Sequence, residues 1–133
     1  MTQDMQNNQD HYAAEAKARW GDTEAYQQSQ QRLAGYSKED IAKAQLAMQE
    51  AANLILAAMA QGLPADSDAA MAGAEAHRKS ISDYWYDCTY EIHTGLATMY
   101  LADPRFSAHY EGQQSGFAKY IHDAIMANAI KSA

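Results

Sequence analysis

A chain of 133 residues is the usual size of one domain and long enough for one hydrophobic core. Its formal charge of −7 repels phosphate backbones and anionic lipid, which argues against direct nucleic-acid or membrane-surface binding. Apolar types reach 47%, yet valine is absent and alanine and methionine abound, so strand-forming residues are scarce and an all-α domain is predicted.

Residues 1–8 read as a polar tail, without the basic and then apolar pattern of a signal peptide. From Gln9 to Trp20 the pattern is helical, and Gly21 ends it. Asp22 is placed to cap a second segment, Thr23 to Leu33, which stops near Gly35. The large apolar groups of these two segments are Tyr12, Trp20, Tyr26 and Leu33, too few for either to fold alone.

Ser37-Lys38-Glu39-Asp40 resembles a capping box, with the shorter Asp in place of Glu. Ile41, Ala44, Met48, Ala51, Ile55 and Met59 follow on one helical face. Gly62 closes that helix and Pro64 prevents its resumption. The greasy stretch Ala51 to Ala60 is too short and too alanine-rich to cross a bilayer. With a single cysteine, Cys88, unable to form an internal disulfide, a cytoplasmic address is expected.

Asp66 or Ser67 starts a fourth helix through Met71, Ala74, His77, Ile81 and Tyr84 or Trp85, with a break at Asp87 to Thr89. A fifth carries Ile92, Leu96, Met99 and Tyr100. Asp103-Pro104 is an N-cap followed by proline at the first helical position, opening a short sixth helix with Phe106 and Tyr110. Gly112 and Gly116 precede the last helix, whose inner stripe is Phe117, Tyr120, Ile121, Ala124, Ile125 and Asn128.

No phosphate loop, Glu-x-x-His pair, His-Glu-x-x-His or Gly-x-Ser-x-Gly is present, so neither an enzyme nor a bound cofactor is expected. Large rings crowd the run Tyr84-Trp85-Tyr86-Asp87-Cys88-Thr89-Tyr90. Successive positions on a helix point in different directions, so one buried face cannot absorb them all. Either they complete the core of a leucine-poor protein, or some of them, with Met71 and Met99, line a pocket for a large, flat, partly apolar ligand. Cys88 and His93 are five residues apart, a poor spacing for a nucleophile and its base. A haem or transition-metal sensor using His77, His93 or Cys88 is the alternative reading.

Three separated runs carry a resemblance to the TipAS antibiotic-recognition domains. These are Ala18-Arg19-Trp20-Gly21-Asp22-Thr23-Glu24-Ala25-Tyr26; Tyr86-Asp87-Cys88-Thr89-Tyr90-Glu91-Ile92-His93-Thr94-Gly95-Leu96, continuing to Met99-Tyr100 and Asp103-Pro104-Arg105-Phe106; and Asp123-Ala124-Ile125-Met126-Ala127-Asn128-Ala129. The resemblance implies a globin-like helical fold over residues 9–133, with 9–35 as lid helices and 36–133 as the core. It also implies a cleft for bulky polycyclic or peptide antibiotics, thiopeptides among them. Such domains are effector halves of MerR-type transcription activators or free-standing drug-sequestering proteins, and DNA is contacted only through a separate N-terminal domain.

The family's thiopeptide-responsive founder carries a reactive cysteine just before the leucine of the second run. Here that position is Gly95, and Cys88 matches the non-capturing cysteine, so the expected recognition is non-covalent. The residues expected to line or cover the cleft are Trp20, Tyr26, Tyr84, Trp85, Asp87, Tyr90, His93, Gly95 and Tyr100.

Overall fold

Five of the six described helices begin where a short polar side chain takes up one of the first free N–H groups. A computed structural model describes residues 23–132; the expected tail, the first helical segment and Trp20 lie outside the described residues. The order is α1 (Glu24–Ala34), α2 (Lys38–Ala60), α3 (Asp68–Tyr84), α4 (Tyr90–Ala102), α5 (Pro104–Glu111) and α6 (Phe117–Ser132), with no strand among the described residues.

Thr23 caps α1, one residue later than the expected Asp22, its Oγ1 accepting from the Tyr26 N–H at 3.2 Å. At α2 the capping box closes despite the short carboxylate. Ser37 Oγ accepts from the Asp40 N–H at 3.1 Å, and Asp40 Oδ2 accepts from the Ser37 N–H at 3.0 Å. Ser67, Thr89 and Asp103 cap α3, α4 and α5. Gly62, at φ +75°, ends α2 in the left-handed conformation that a side chain disfavours. There the Gly62 N–H reaches the Met59 carbonyl and the Leu63 N–H the Ala58 carbonyl, a Schellman closure.

α2 lies along α3 through small residues. Ala44, Ala51, Ala52 and Ala58 of α2 and Ala70, Gly73 and Ala74 of α3 are all buried. The closest approach is at Gly73, where an added Cβ would stand 2.7 Å from Ile55 Cγ1 and 3.0 Å from the Ile55 backbone nitrogen. α4 packs on α6, and here large groups fill the core. Tyr100, Tyr110 and Phe117 meet with ring centroids 5.0 and 5.7 Å apart, beside Ile121, Ala124 and Ile125.

Of the α2 stripe, Ala44, Ala51 and Ile55 are fully buried, and Ile41, Met48 and Met59 half-buried. On α4 the buried residues are His93, Ala97 and Tyr100; of the expected Ile92, Leu96, Met99 and Tyr100, only Tyr100 is fully buried, and the other three are half-buried. No helix among the described residues is long and apolar enough to cross a membrane.

A methyl group at Gly73 has to displace both a buried side chain and a backbone atom. Gly73→Ala is therefore expected to destabilise the fold by about 1–3 kcal/mol, against a helix-propensity gain of about 1 kcal/mol. Urea unfolding of the two proteins measures this, and an unchanged or raised midpoint would contradict the close crossing.

Candidate ligand-binding site

The ring-rich run turns the chain from α3 into α4. Tyr84 ends α3, Trp85 is its C-cap, and Thr89 caps α4 by accepting from the Ile92 N–H at 3.1 Å. Tyr84, Trp85 and Tyr86 are each half-buried, as diverging directions require, while Asp87 is exposed. The Trp85 indole N–H is shut off from solvent and has no acceptor. Burial pushes the Tyr86 phenol well above its usual range, so it stays protonated.

α1 and the link that follows it hold this corner from outside through four polar contacts. The Arg32 guanidinium donates to the Ser82 carbonyl at 2.6 Å and to Asp87 Oδ1 at 2.9 Å. The Tyr36 hydroxyl donates to the Tyr84 carbonyl at 2.6 Å, and the Asp87 N–H to Gln28 Oε1 at 2.8 Å. The carbonyls of Ser82 and Tyr84 belong to the last turn of α3, where intrahelical donors run out and cations are favoured. α1 itself contains no fully buried residue, and Tyr26 on it is half-buried.

From inside, Arg78 grips the same corner. It donates to Glu75 Oε1 and Oε2 at 3.1 and 2.6 Å and to the Cys88 carbonyl at 2.8 Å, and its guanidinium lies 4.2 Å from the Tyr90 ring centroid. Asn128 of α6 donates to Glu75 Oε1 at 3.0 Å. The Arg78 contact, aided by Asn128 and Tyr90, holds the Glu75 carboxyl down to about 2 against its partial burial.

Cys88 is 2% exposed, and burial pushes its thiol up to about 11, so it is a protonated, poor nucleophile at neutral pH. His93 does not serve it as a base. Its Nε2 lies 3.0 Å from Nδ1 of His77 in a stacked, buried pair. Burial holds both imidazoles below their usual range, so one neutral ring donates and the other accepts. His93 Nδ1 has no partner. The alternative metal or haem reading finds no support in this arrangement. The hydrogen bond occupies the facing nitrogens of the two rings, Cys88 is a thiol, and among the described residues no three His, Cys, Asp or Glu side chains converge on one point.

Beyond the corner, a groove of about 650 Å³ opens along the outward face of α4, lined by Gly95, Thr98, Met99, Ala102, Asp103, Pro104 and Arg105. Around Gly95 nothing among the described residues stands within 4 Å of where a Cβ would be. A second groove of about 520 Å³ crosses α2 and α3 between Ala47, Leu54, Ala76 and Lys79 and ends at Tyr84.

The structure thus gathers Tyr84, Trp85, Asp87 and Tyr90 at one corner and sets Gly95 in the open groove further along α4. His93 and Tyr100 stand on the opposite, inward face of α4, 1% and 5% exposed. Trp20 lies outside the described residues. Arg32, Arg78 and Glu75 were not singled out by the sequence, and Asn128 was placed there only on the inner stripe of the last helix. The carbonyls that the two arginines hold leave no mark in a sequence.

Residues 12–128 match the TipAS antibiotic-recognition domain. The chain is 44% identical over 122 residues to the HTH-type transcriptional activator TipA of Streptomyces coelicolor, covering 92% of this chain and 48% of that protein. It is 30% identical over 123 residues to the HTH-type transcriptional activator mta of Bacillus subtilis, covering 92% and 47%. The chain spans about half the length of the curated relatives it matches. A complex of nosiheptide with TipAS from Streptomyces lividans superposes with a TM-score of 0.86 at 44% identity, covering 93% of this chain and 87% of that one. The antibiotic binding domain of a TipA-class multidrug resistance transcriptional regulator gives 0.59 at 44% identity, covering 64% and 90%. The all-α, globin-like expectation agrees with these superpositions.

The buried histidines make stability depend on pH. In the unfolded chain their imidazoles titrate near 6.5, but in the fold both pKa values are lower. Below about pH 6.5 the unfolded state therefore binds more protons, and stability falls as pH falls, by up to about 1.4 kcal/mol per pH unit for each ring. Glu75 acts in the same direction in a lower window. Its contribution is fully present above its unfolded value of 4.5 and is lost as pH falls toward its folded value of about 2. Urea midpoints are expected to be level from pH 8 to 7 and to fall between pH 6.5 and 5. A level midpoint across that interval would mean the pair is not held neutral.

Proposed function

The chain belongs to the TipAS antibiotic-recognition domain family, and from that premise we propose that it binds bulky multi-ring or thiopeptide-type antibiotics non-covalently, along the outward face of α4 and the corner before it. One observation carries the location. Gly95 stands in the interior of α4, where glycine costs about 1 kcal/mol relative to alanine, and nothing among the described residues stands within 4 Å of where its Cβ would be. The missing side chain lets a large ligand lie against the helix backbone. The superposition on the nosiheptide complex supports the same ligand class.

In this reading Tyr84, Trp85, Asp87 and Tyr90 form one wall, and Tyr26 and Trp20 belong to the cover. His93 and Tyr100 brace α4 from the core side. With glycine at position 95 and the Cys88 thiol buried and protonated, no route to covalent capture remains. The domain acts by binding, without a catalytic step. It serves as the effector domain of a drug-responsive MerR-type regulator, which contacts DNA through a separate N-terminal domain, or as a free-standing drug-sequestering protein.

The cover comprises residues 9–35 and is set in place by the ligand. Its described part, α1, has no fully buried residue and is tied to the corner by exposed and half-buried polar bonds that water can replace. In a full regulator that ordering is what the DNA-binding half would sense.

Titration of tryptophan fluorescence with nosiheptide and other bulky polycyclic antibiotics tests the reading. Saturable quenching at about micromolar concentration or tighter, worth about −8 kcal/mol, is expected from one class, unchanged in Cys88→Ala. Gly95→Leu should weaken it by about tenfold or more without lowering the melting temperature, because leucine is the better helix former. A flat wild-type response across the panel overturns the antibiotic reading, whereas wild-type affinity in Gly95→Leu overturns its location.

Loss of the guanidinium that caps α3 should free α1 alone. In Arg32→Ala, limited proteolysis within residues 23–35 is expected to quicken several-fold, about what the loss of one or two exposed ionic bonds implies, while the melting temperature stays near wild type. Unchanged cleavage would show that α1 is held by something other than this latch.

A further inference from the structure

The ion pair between Glu75 and Arg78 would pass for a routine contact between neighbouring turns of α3, were it not for what else the guanidinium touches. Its remaining edge donates to the Cys88 carbonyl and its face lies on the Tyr90 ring, while Glu75 is in turn tied to Asn128 on α6. The two side chains are only 17% and 26% exposed, so these contacts are poorly screened. A planar fork donates at its edges and stacks with its face at the same time, and an ammonium group cannot reproduce that combination.

The Cys88 peptide is gripped at both ends, its N–H by Ser82 Oγ at 2.9 Å and its carbonyl by Arg78 at 2.8 Å. Thr89, the next residue, is the N-cap of α4. Whatever fixes the Cys88 peptide therefore fixes the angle at which the chain enters α4. The Tyr90 ring and, about one and a half turns on, Gly95 take their places from that angle.

We propose that Arg78 is the positioning residue of the ligand site, holding Tyr90 and the first turn of α4 so that the groove is formed before the ligand arrives. The proposal rests on the antibiotic reading given above. It differs from a role in global stability because the fork spans a corner rather than the α2–α3 crossing or the α4–α6 core. Preformed geometry matters for affinity because a ligand that must first order its site loses part of its binding free energy to that ordering.

The test uses the full chain as wild type, R78M, R78K and Y90L, with amide hydrogen exchange read alongside the nosiheptide titration. In R78M, the amides of Cys88, Ile92 and His93 are expected to exchange about tenfold faster or more, while those of Ile55, Ile121 and Ile125 keep their protection. Nosiheptide affinity is expected to fall by about tenfold or more, with R78K recovering only part of it. Should R78M fail to fold, R78K carries the comparison, since it keeps the charge and loses the fork. Y90L, which leaves the links to Glu75 and Cys88 in place, should weaken binding while the Cys88 amide stays protected.

Wild-type exchange and affinity in R78M, or a parallel loss of protection throughout the core, would overturn the positioning role. Full recovery in R78K would overturn the requirement for a fork. Absence of nosiheptide binding by the wild type overturns the antibiotic reading, and the exchange measurements would still decide whether Arg78 sets the corner.

Discussion

The approach of α2 to α3 at Gly73 governs how the rest of the chain is arranged. A sequence without valine has few large aliphatic side chains to span a gap between helices, so α2 and α3 bury their faces by coming close. Alanine lines both sides of that crossing, and at Gly73 even a methyl group would meet the backbone of Ile55. The large groups are then left to the other side of the domain, where Tyr100, Tyr110, Phe117 and the histidine pair fill the space around α4 and α6. Filling a core with polar-tipped rings brings donors and acceptors inside. There His77 pairs with His93, and His93 Nδ1 is left over.

The corner between α3 and α4 is the place where this core meets the surface, and two arginines hold it from opposite sides. Both bind backbone carbonyls, Arg32 that of Ser82 and Arg78 that of Cys88. They differ in setting. Arg32 pairs with an Asp87 that is 72% exposed, while Arg78 pairs with a Glu75 that is 26% exposed and already bonded to α6. Exposed pairs are readily traded for water and partly buried ones are not. The inner grip thus belongs to the permanent structure, and the outer one to whatever α1 does.

Much of the fold was legible because helix caps are local chemistry. Ser37, Ser67, Thr89 and Asp103 stand in the sequence as short acceptors ahead of apolar periodicity, and each caps a helix. The face of α4 was read only in part, for a tertiary reason. Tyr100 is buried as expected and Leu96 packs on the core's edge, but the other fully buried positions are small Ala97 and His93, which finds a partner on α3. The candidate corner could be located because rings at successive positions cannot share one buried face. The arginines that hold it could not, since backbone carbonyls carry no residue type.

The manner in which α1 is attached also fixes how its release responds to temperature. Apolar surface newly exposed to water raises heat capacity, and polar surface lowers it. α1 has no fully buried residue, only half-buried groups such as Tyr26 and Leu33, and it is joined to the corner through polar bonds. Lifting it away therefore carries a much smaller heat-capacity change than unfolding the core. Global unfolding of the alanine and aromatic core follows a strongly curved stability profile, and the opening of this helix follows a flatter one, with an enthalpy that varies less between cold and warm.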